Sequence, residues 1–207
     1  MLVVSNDVAN DVSPVIIVAP LTTSPSNSWT IPIYQVGDTI NYVACSMVQR
    51  IDRERVIKFL HNVSKERMNA VDWMLIAALG LNEDDVEPSE MRGRIVLVTT
   101  KCASGSEQAG TRPCVVVSSS ESNQDPAVTS AVVIPFTSKL TKTKLPTHVI
   151  FEKSEAMHKA SIALCEQPQI TYKDAWIDTR KSIATMKDIN IALKVALGIL
   201  PPNARRQ

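Results

Sequence analysis

Residues 2–24, LVVSNDVANDVSPVIIVAPLTTS, recur further along the chain as residues 114–139, CVVVSSSESNQDPAVTSAVVIPFTSK. The endings recur as well: MNAVDWMLIAALGL (68–81) stands against MKDINIALKVALGIL (186–200). The second stretch is preceded by RGRIVLVTTKCASGSEQAGTRP (92–113), which has no counterpart ahead of the first. A period this long points to two homologous domains in tandem rather than a solenoid. The expected division is a truncated domain lacking its first hairpin (1–81), an acidic linker (82–91), a complete domain (92–201) and a polar tail (202–207). Chemistry carried by the unduplicated segment can occur only once per chain.

Hydrophobic patterning predicts strands over 94–100, 114–117, 131–134, 148–151 and 161–165 in the second copy. The first copy offers 2–5, 15–19, 31–34 and 40–44. Residues 185–197 predict a helix, with Met186, Ile189, Leu193, Ala196 and Leu197 on one face. Thr185 with Asp188 resembles a capping box, and Gly198 is placed to end the helix. Ser64 caps the corresponding helix of the first copy, which ends at Gly80. KLTKTK (139–144) and 102–111 read as loops. Strands first and a helix last give a mainly β fold with α: a small antiparallel, barrel-like sheet closed by a C-terminal helix, present twice. The truncated copy exposes a sheet edge, and an open edge needs cover, so the two copies are expected to dock.

The net charge of +1 conceals an asymmetry. Residues 1–90 hold 6 Lys/Arg against 12 Asp/Glu, and residues 91–207 hold 16 against 9. The second copy is therefore the one expected to attract anions. No apolar run of roughly 18 residues predicts a membrane-spanning helix. No signal-peptide pattern is present. Cys45, Cys102, Cys114 and Cys165 are scattered, without a CxxC pair, and read as reduced thiols of a cytoplasmic protein. His61, His148 and His158 stand apart from any ligand-spaced cluster, so they read as structural or exposed and no metal site is expected. HExxH, P-loop, GxGxxG and GxSxG motifs are all absent from the sequence.

Polar density is concentrated in GSEQAGTRP (105–113), PFTS (135–138) and CEQPQ (165–169). Arg112 precedes a proline that opens a buried strand, and an arginine there can brace a phosphate bidentately. Thr137 and Ser138 present hydroxyls at one strand end, and Glu166 and Gln167 stand at another. Guanidinium, hydroxyl and carboxylate converging at strand ends would suit phosphodiester cleavage, with the RNA 2′-OH as nucleophile. Taken singly, each cluster is also what a turn or a loop ion pair looks like.

RGRIVLV (92–98), GSEQAGTRP, IPFTS (134–138), KLPTHVIF (144–151), ALCEQPQ (163–169) and ALKVALGIL (192–200) together resemble the MazF/PemK family of toxin–antitoxin endoribonucleases, in order and spacing. The first copy resembles the same family from its second strand onward, through VVSND (3–7), IIVAPLTTS (16–24) and VQRIDRERV (48–56). The resemblance implies a barrel-like sheet, usual homodimerisation, and cleavage of single-stranded mRNA without metal or other cofactor. The products would carry a 2′,3′-cyclic phosphate and a 5′-hydroxyl. It assigns catalysis to Arg112, Thr137 and Glu166, and RNA binding to Ser106, Glu107, Gln108, Thr111, Ser138, Gln167 and Gln169. Whether Arg112 or Glu166 is the general base stays open. An antitoxin with an acidic, flexible segment is the implied protein partner.

Two departures stand out. The family usually carries an arginine after the EQ segment, and here Gln169 stands near that place. The first copy keeps Thr22 but lacks the arginine-bearing loop, and Ser46 and Met47 replace the EQ pair. Its basic run 49–55 reads as a structural surface or as half of an RNA groove. The fused pair reads as an intramolecular pseudo-dimer with one centre, or as a homodimer through the second copies. The rival functions are a decayed toxin that binds antitoxin or RNA without cutting, and a gyrase inhibitor of related fold.

Overall fold

A computed structural model describes residues 1–207 except 26–27, 37, 88–89, 101–109, 141–144 and 205–207. The elements up to residue 78 are β1 (Leu2–Val3), α1 (Asp7–Val12), β2 (Val15–Ala19), β3 (Leu21–Thr22), β4 (Thr30–Val36), β5 (Thr39–Ala44), β6 (Gln49–Asp52) and α2 (Lys65–Ala78). They are followed by β7 (Arg94–Thr100), β8 (Gly110–Val116), α3 (Ser120–Gln124), β9 (Ser130–Thr137), β10 (His148–Phe151), β11 (Ser161–Leu164), β12 (Gln169–Tyr172), β13 (Trp176–Ser182) and α4 (Lys187–Ala196).

The sheet of the second copy runs β10-β11-β9-β8-β7-β13, with β12 also on β9, and every pairing is antiparallel. Strand β9 changes partner along its length: it pairs with β12 up to Val133 and with β11 from Phe136. Pro135 lies at the changeover, where its missing N–H makes a continuous ladder impossible. The sheet folds over at this point. Its inner face (Ile95, Val115, Val132, Ile134) joins the main core, and the other face (Val96, Cys114, Ala131, Val133) forms a smaller apolar cluster.

The first copy repeats this arrangement in pieces. Sheet β1-β2-β6 matches β8-β9-β12, and sheet β3-β5-β4 matches the β9-β11-β10 end, with Pro20 standing where Pro135 stands. One polar bracket is duplicated atom for atom. Ser5 Oγ donates to Asn10 Oδ1 at 2.5 Å and accepts from the Ile17 N–H at 3.0 Å. Ser118 Oγ donates to Asn123 Oδ1 at 2.7 Å and accepts from the Val132 N–H at 3.3 Å. Counterparts of β7 and β13 are what the first copy lacks: residues 56–63 belong to no strand or helix, and Ile57, Phe59 and Leu60 are exposed.

The two copies share one hydrophobic core, which joins Ile17, Val43, Val71 and Leu75 to Ile134, Ile189 and Leu193. The buried Arg92 ties them together. Its Nη2 donates to the carbonyls of Leu79 (3.0 Å) and Gly80 (2.6 Å) and to Asn190 Oδ1 (2.8 Å). Burial pushes its guanidinium below the ordinary arginine value, while the Glu83 charge acts in the opposite sense. Gly80 ends α2 at φ +56°, and a Cβ there would meet Arg92 Nε at 2.5 Å.

The linker is not a loose tether where it is described. The Asp84 carbonyl accepts from the Met186 N–H at 2.9 Å and from Thr185 Oγ1 at 2.9 Å, and so caps α4 through the backbone. The expected Thr185–Asp188 capping box does not form; instead Thr185 Oγ1 accepts from the Lys187 N–H at 3.2 Å. A short helix follows β1 in the first copy and β8 in the second: α1 and α3, capped by Asn6 and Ser119. Strands β6, β12 and β13 escaped the pattern reading because QRID, QITY and WIDTRKS each hold only one or two large apolar residues among polar or charged ones.

Cys45, Cys114 and Cys165 are free and buried. Burial pushes the Cys45 and Cys114 thiols up to about 12. At pH 8 only about one thiol in ten thousand of that kind is thiolate. Iodoacetamide followed by mass spectrometry is expected to leave both unmodified in the native chain and to label both in denaturant. Labelling of the native chain at the rate of a free thiol would show that this core is not closed.

Candidate active site

Strand register brings the predicted residues to one place. Cys114 pairs with Pro135, so Arg112 and Thr137 each lie two residues beyond the last rung, on the face away from the main core. Arg112 is paired in register with Val98 on β7. The turn joining β11 to β12 then carries Glu166 and Gln167 across the fold at Pro135. Arg112, Thr137, Glu166, Gln167 and Gln169 all line one cavity of about 410 Å³, a size typical of ligand sites.

The carboxylate of Glu166 is held from two sides. Thr147 Oγ1 donates to its Oε2 at 2.9 Å, and His148 Nε2 lies 3.3 Å from its Oε1. The Gln167 amide is also 3.3 Å from Oε1. Thr137 Oγ1 accepts from the Lys139 N–H at 3.3 Å. Arg112, Arg50, Lys139 and His148 line the cavity with one carboxylate among them, a balance that favours an anion.

Thr111 is exposed and shares a hydrogen bond with Thr99 at 2.8 Å, outside the cavity lining. Ser138 is exposed and also outside it. Ser106, Glu107 and Gln108 lie outside the described residues, as does most of the expected loop at 139–144. Among the described residues, no three His, Cys, Asp or Glu side chains gather as a metal ligand set, and no helix is long and apolar enough to cross a membrane.

Two contributors were not singled out from the sequence. His148 had read as a structural histidine, but it is buried and faces Glu166. The pairing of His148 with Leu164 sets it two residues from the carboxylate, a proximity that only the β10–β11 register creates. Arg50, with Ser13, Pro14 and Val15, brings the first copy into the cavity wall. Arg50 belongs to the basic run 49–55, which the sequence left open as a structural surface or as half of an RNA groove.

The family of PemK-like, MazF-like toxins of type II toxin–antitoxin systems matches residues 1–79 and 91–197. The chain belongs to this family. The match falls in two segments that together take in most of the chain, as a tandem duplication requires. Endoribonuclease MazF of Staphylococcus saprophyticus is 35% identical over 112 residues, which are 52% of this chain and 91% of that protein. Among solved structures, an endoribonuclease in complex with its cognate antitoxin from Mycobacterial species is 26% identical. The alignment covers 55% of this chain and all of that one, with a TM-score of 0.43. MazF (Form-I) from Deinococcus radiodurans is 19% identical, over 52% of this chain and 92% of that one, with a TM-score of 0.40. In this PemK/MazF chain the single cavity described above draws on both matched segments.

Proposed function

We propose that this chain is the toxin of a type II toxin–antitoxin system, a metal-independent, sequence-specific endoribonuclease that cuts single-stranded mRNA. In this reading units 1–81 and 92–201, joined by 82–91 and followed by the tail 202–207, form an intramolecular pseudo-dimer with one active centre. The observation that carries it is the convergence of Arg112, Thr137 and Glu166 on one cation-rich cavity. Glu166 takes the proton of the RNA 2′-hydroxyl, and the 2′-oxygen bonds to phosphorus. The bond to the 5′-oxygen breaks, and that oxygen takes a proton from water as it departs, leaving a 2′,3′-cyclic phosphate and a 5′-hydroxyl. Arg112 stabilises the charge developing on the phosphorane, and Thr137 hydrogen-bonds its oxygen. The first unit holds Thr22 without a counterpart of Arg112 and has Ser46 in place of the carboxylate, so it makes no second centre. The net charge of +7 on residues 91–207 suits an antitoxin with an acidic flexible segment.

The test incubates the purified chain with a long single-stranded RNA in EDTA and maps the new ends. Discrete cuts with cyclic-phosphate 3′ ends support the reading. A folded chain that makes no cuts sinks it and leaves a toxin-like protein that binds antitoxin or RNA without cleavage.

His148→Ala is expected to lower kcat by about 10- to 100-fold with little change in KM, since it removes one hydrogen-bond partner of a reacting carboxylate. Steady-state kinetics on a short fluorogenic oligonucleotide would check this, and a folded variant with wild-type kcat would leave His148 a packing residue.

A further inference from the structure

The acidic first copy lends a cation to a cavity whose chemistry belongs to the second. Arg50 lies on β6, opposite Ile17 of β2, and its side chain is only 4% exposed. Its backbone N–H donates to the Pro168 carbonyl at 2.8 Å, which clamps β6 against the turn bearing Glu166 and Gln167. Arg50 lines the same cavity as Arg112 and Gln169. Asp52, 3.8 Å from Nη1, steadies the guanidinium. Gln169 is neutral, and among the described lining residues the second copy's one guanidinium is Arg112, which leaves a neighbouring phosphate without a guanidinium from that copy.

We propose that Arg50 supplies that cation: the first unit contributes an RNA-backbone contact to the single active centre, holding a phosphate that flanks the scissile one. This rests on the endoribonuclease reading above. The planar fork of a guanidinium suits bidentate contact with a phosphate. Its role is to bind the strand, and Arg112 keeps the reacting phosphate. The truncated copy is then half of the site, and a second chain is not needed to complete it.

The test compares wild type, Arg50→Met and Arg50→Lys, with circular dichroism checking the fold. Cleavage of a short RNA is measured across a salt series. Arg50→Met is expected to raise KM about tenfold with kcat nearly unchanged, and to flatten the salt dependence of affinity by about 0.7 in log–log slope, one phosphate contact. Arg50→Lys should keep the wild-type slope. A folded Arg50→Met with wild-type KM and slope overturns the proposal. If Arg50→Met does not fold, the wild-type chain is titrated with a non-cleavable 2′-deoxy oligonucleotide, and the Arg50 Nε–H resonance, assigned through Arg50→Lys, is followed. A shift of that signal on binding is expected, and an unmoved signal on a saturated chain overturns the proposal. A wild-type chain that fails to cleave RNA overturns the endoribonuclease reading and this assignment with it. A cleaving wild type with an unaffected Arg50→Met overturns this assignment alone.

Discussion

Replacing Arg112 by alanine is expected to lower kcat by about 10²- to 10³-fold, roughly 3–4 kcal/mol of transition-state stabilisation. Arg112 is half-buried in the cavity wall, with Thr137 and Glu166 lining the same space. The phosphorane carries more charge than the ground-state phosphodiester, so a fixed guanidinium there stabilises the transition state more than the substrate. KM should therefore change much less than kcat. Arg112→Lys should recover little, because a point charge on a flexible stem does not reproduce the planar fork. Single-turnover cleavage of a short RNA, with the melting curve of each variant beside it, measures this. A folded Arg112→Ala that cuts at the wild-type rate would remove Arg112 from the chemistry.

Arg92→Met carries the largest expected effect on stability. The guanidinium is 2% exposed, and one nitrogen serves two carbonyls at the end of α2 and the amide oxygen of Asn190 on α4. A methionine fills much of the volume but donates nothing. Two buried carbonyls then lose their charged donor, at a cost of about 3 kcal/mol. For a chain of this length that is a fall in Tm of roughly 10 °C. Differential scanning calorimetry would check it. A change of a degree or two would mean that Arg92 contributes packing and little else at the junction of the copies.

Much of the fold was legible because the chain states it twice. The buried runs VIIVA and SAVVIPFT and the helices closed by Gly80 and Gly198 each follow from local pattern. Strands QRID and QITY were not legible, since their place depends on which neighbour offers a free edge. The α4 cap was misread because its acceptor, the Asp84 carbonyl, comes from a segment about a hundred residues away.

The candidate site divides in the same way. Arg112, Thr137, Glu166 and Gln167 stand at strand ends in the sequence, the family resemblance singled them out together with Gln169, and all five line the cavity. His148 and Arg50 were not named as site residues. A lone histidine in KLPTHVIF carries no local sign of a carboxylate 3.3 Å away, and the run 49–55 read equally as a structural surface or as half of an RNA groove.

The sequence by itself determined the duplication, the family, the mainly β fold and the residue types available for phosphate chemistry. These rest on short-range periodicity and on motifs whose members lie close along the chain. Only the tertiary structure decided that the two copies share one core and that one cavity is walled by both. Those facts depend on β6 meeting the turn after β11 and on Arg92 bridging two helices. Contacts between residues so far apart are set by packing and register, and local pattern does not encode them.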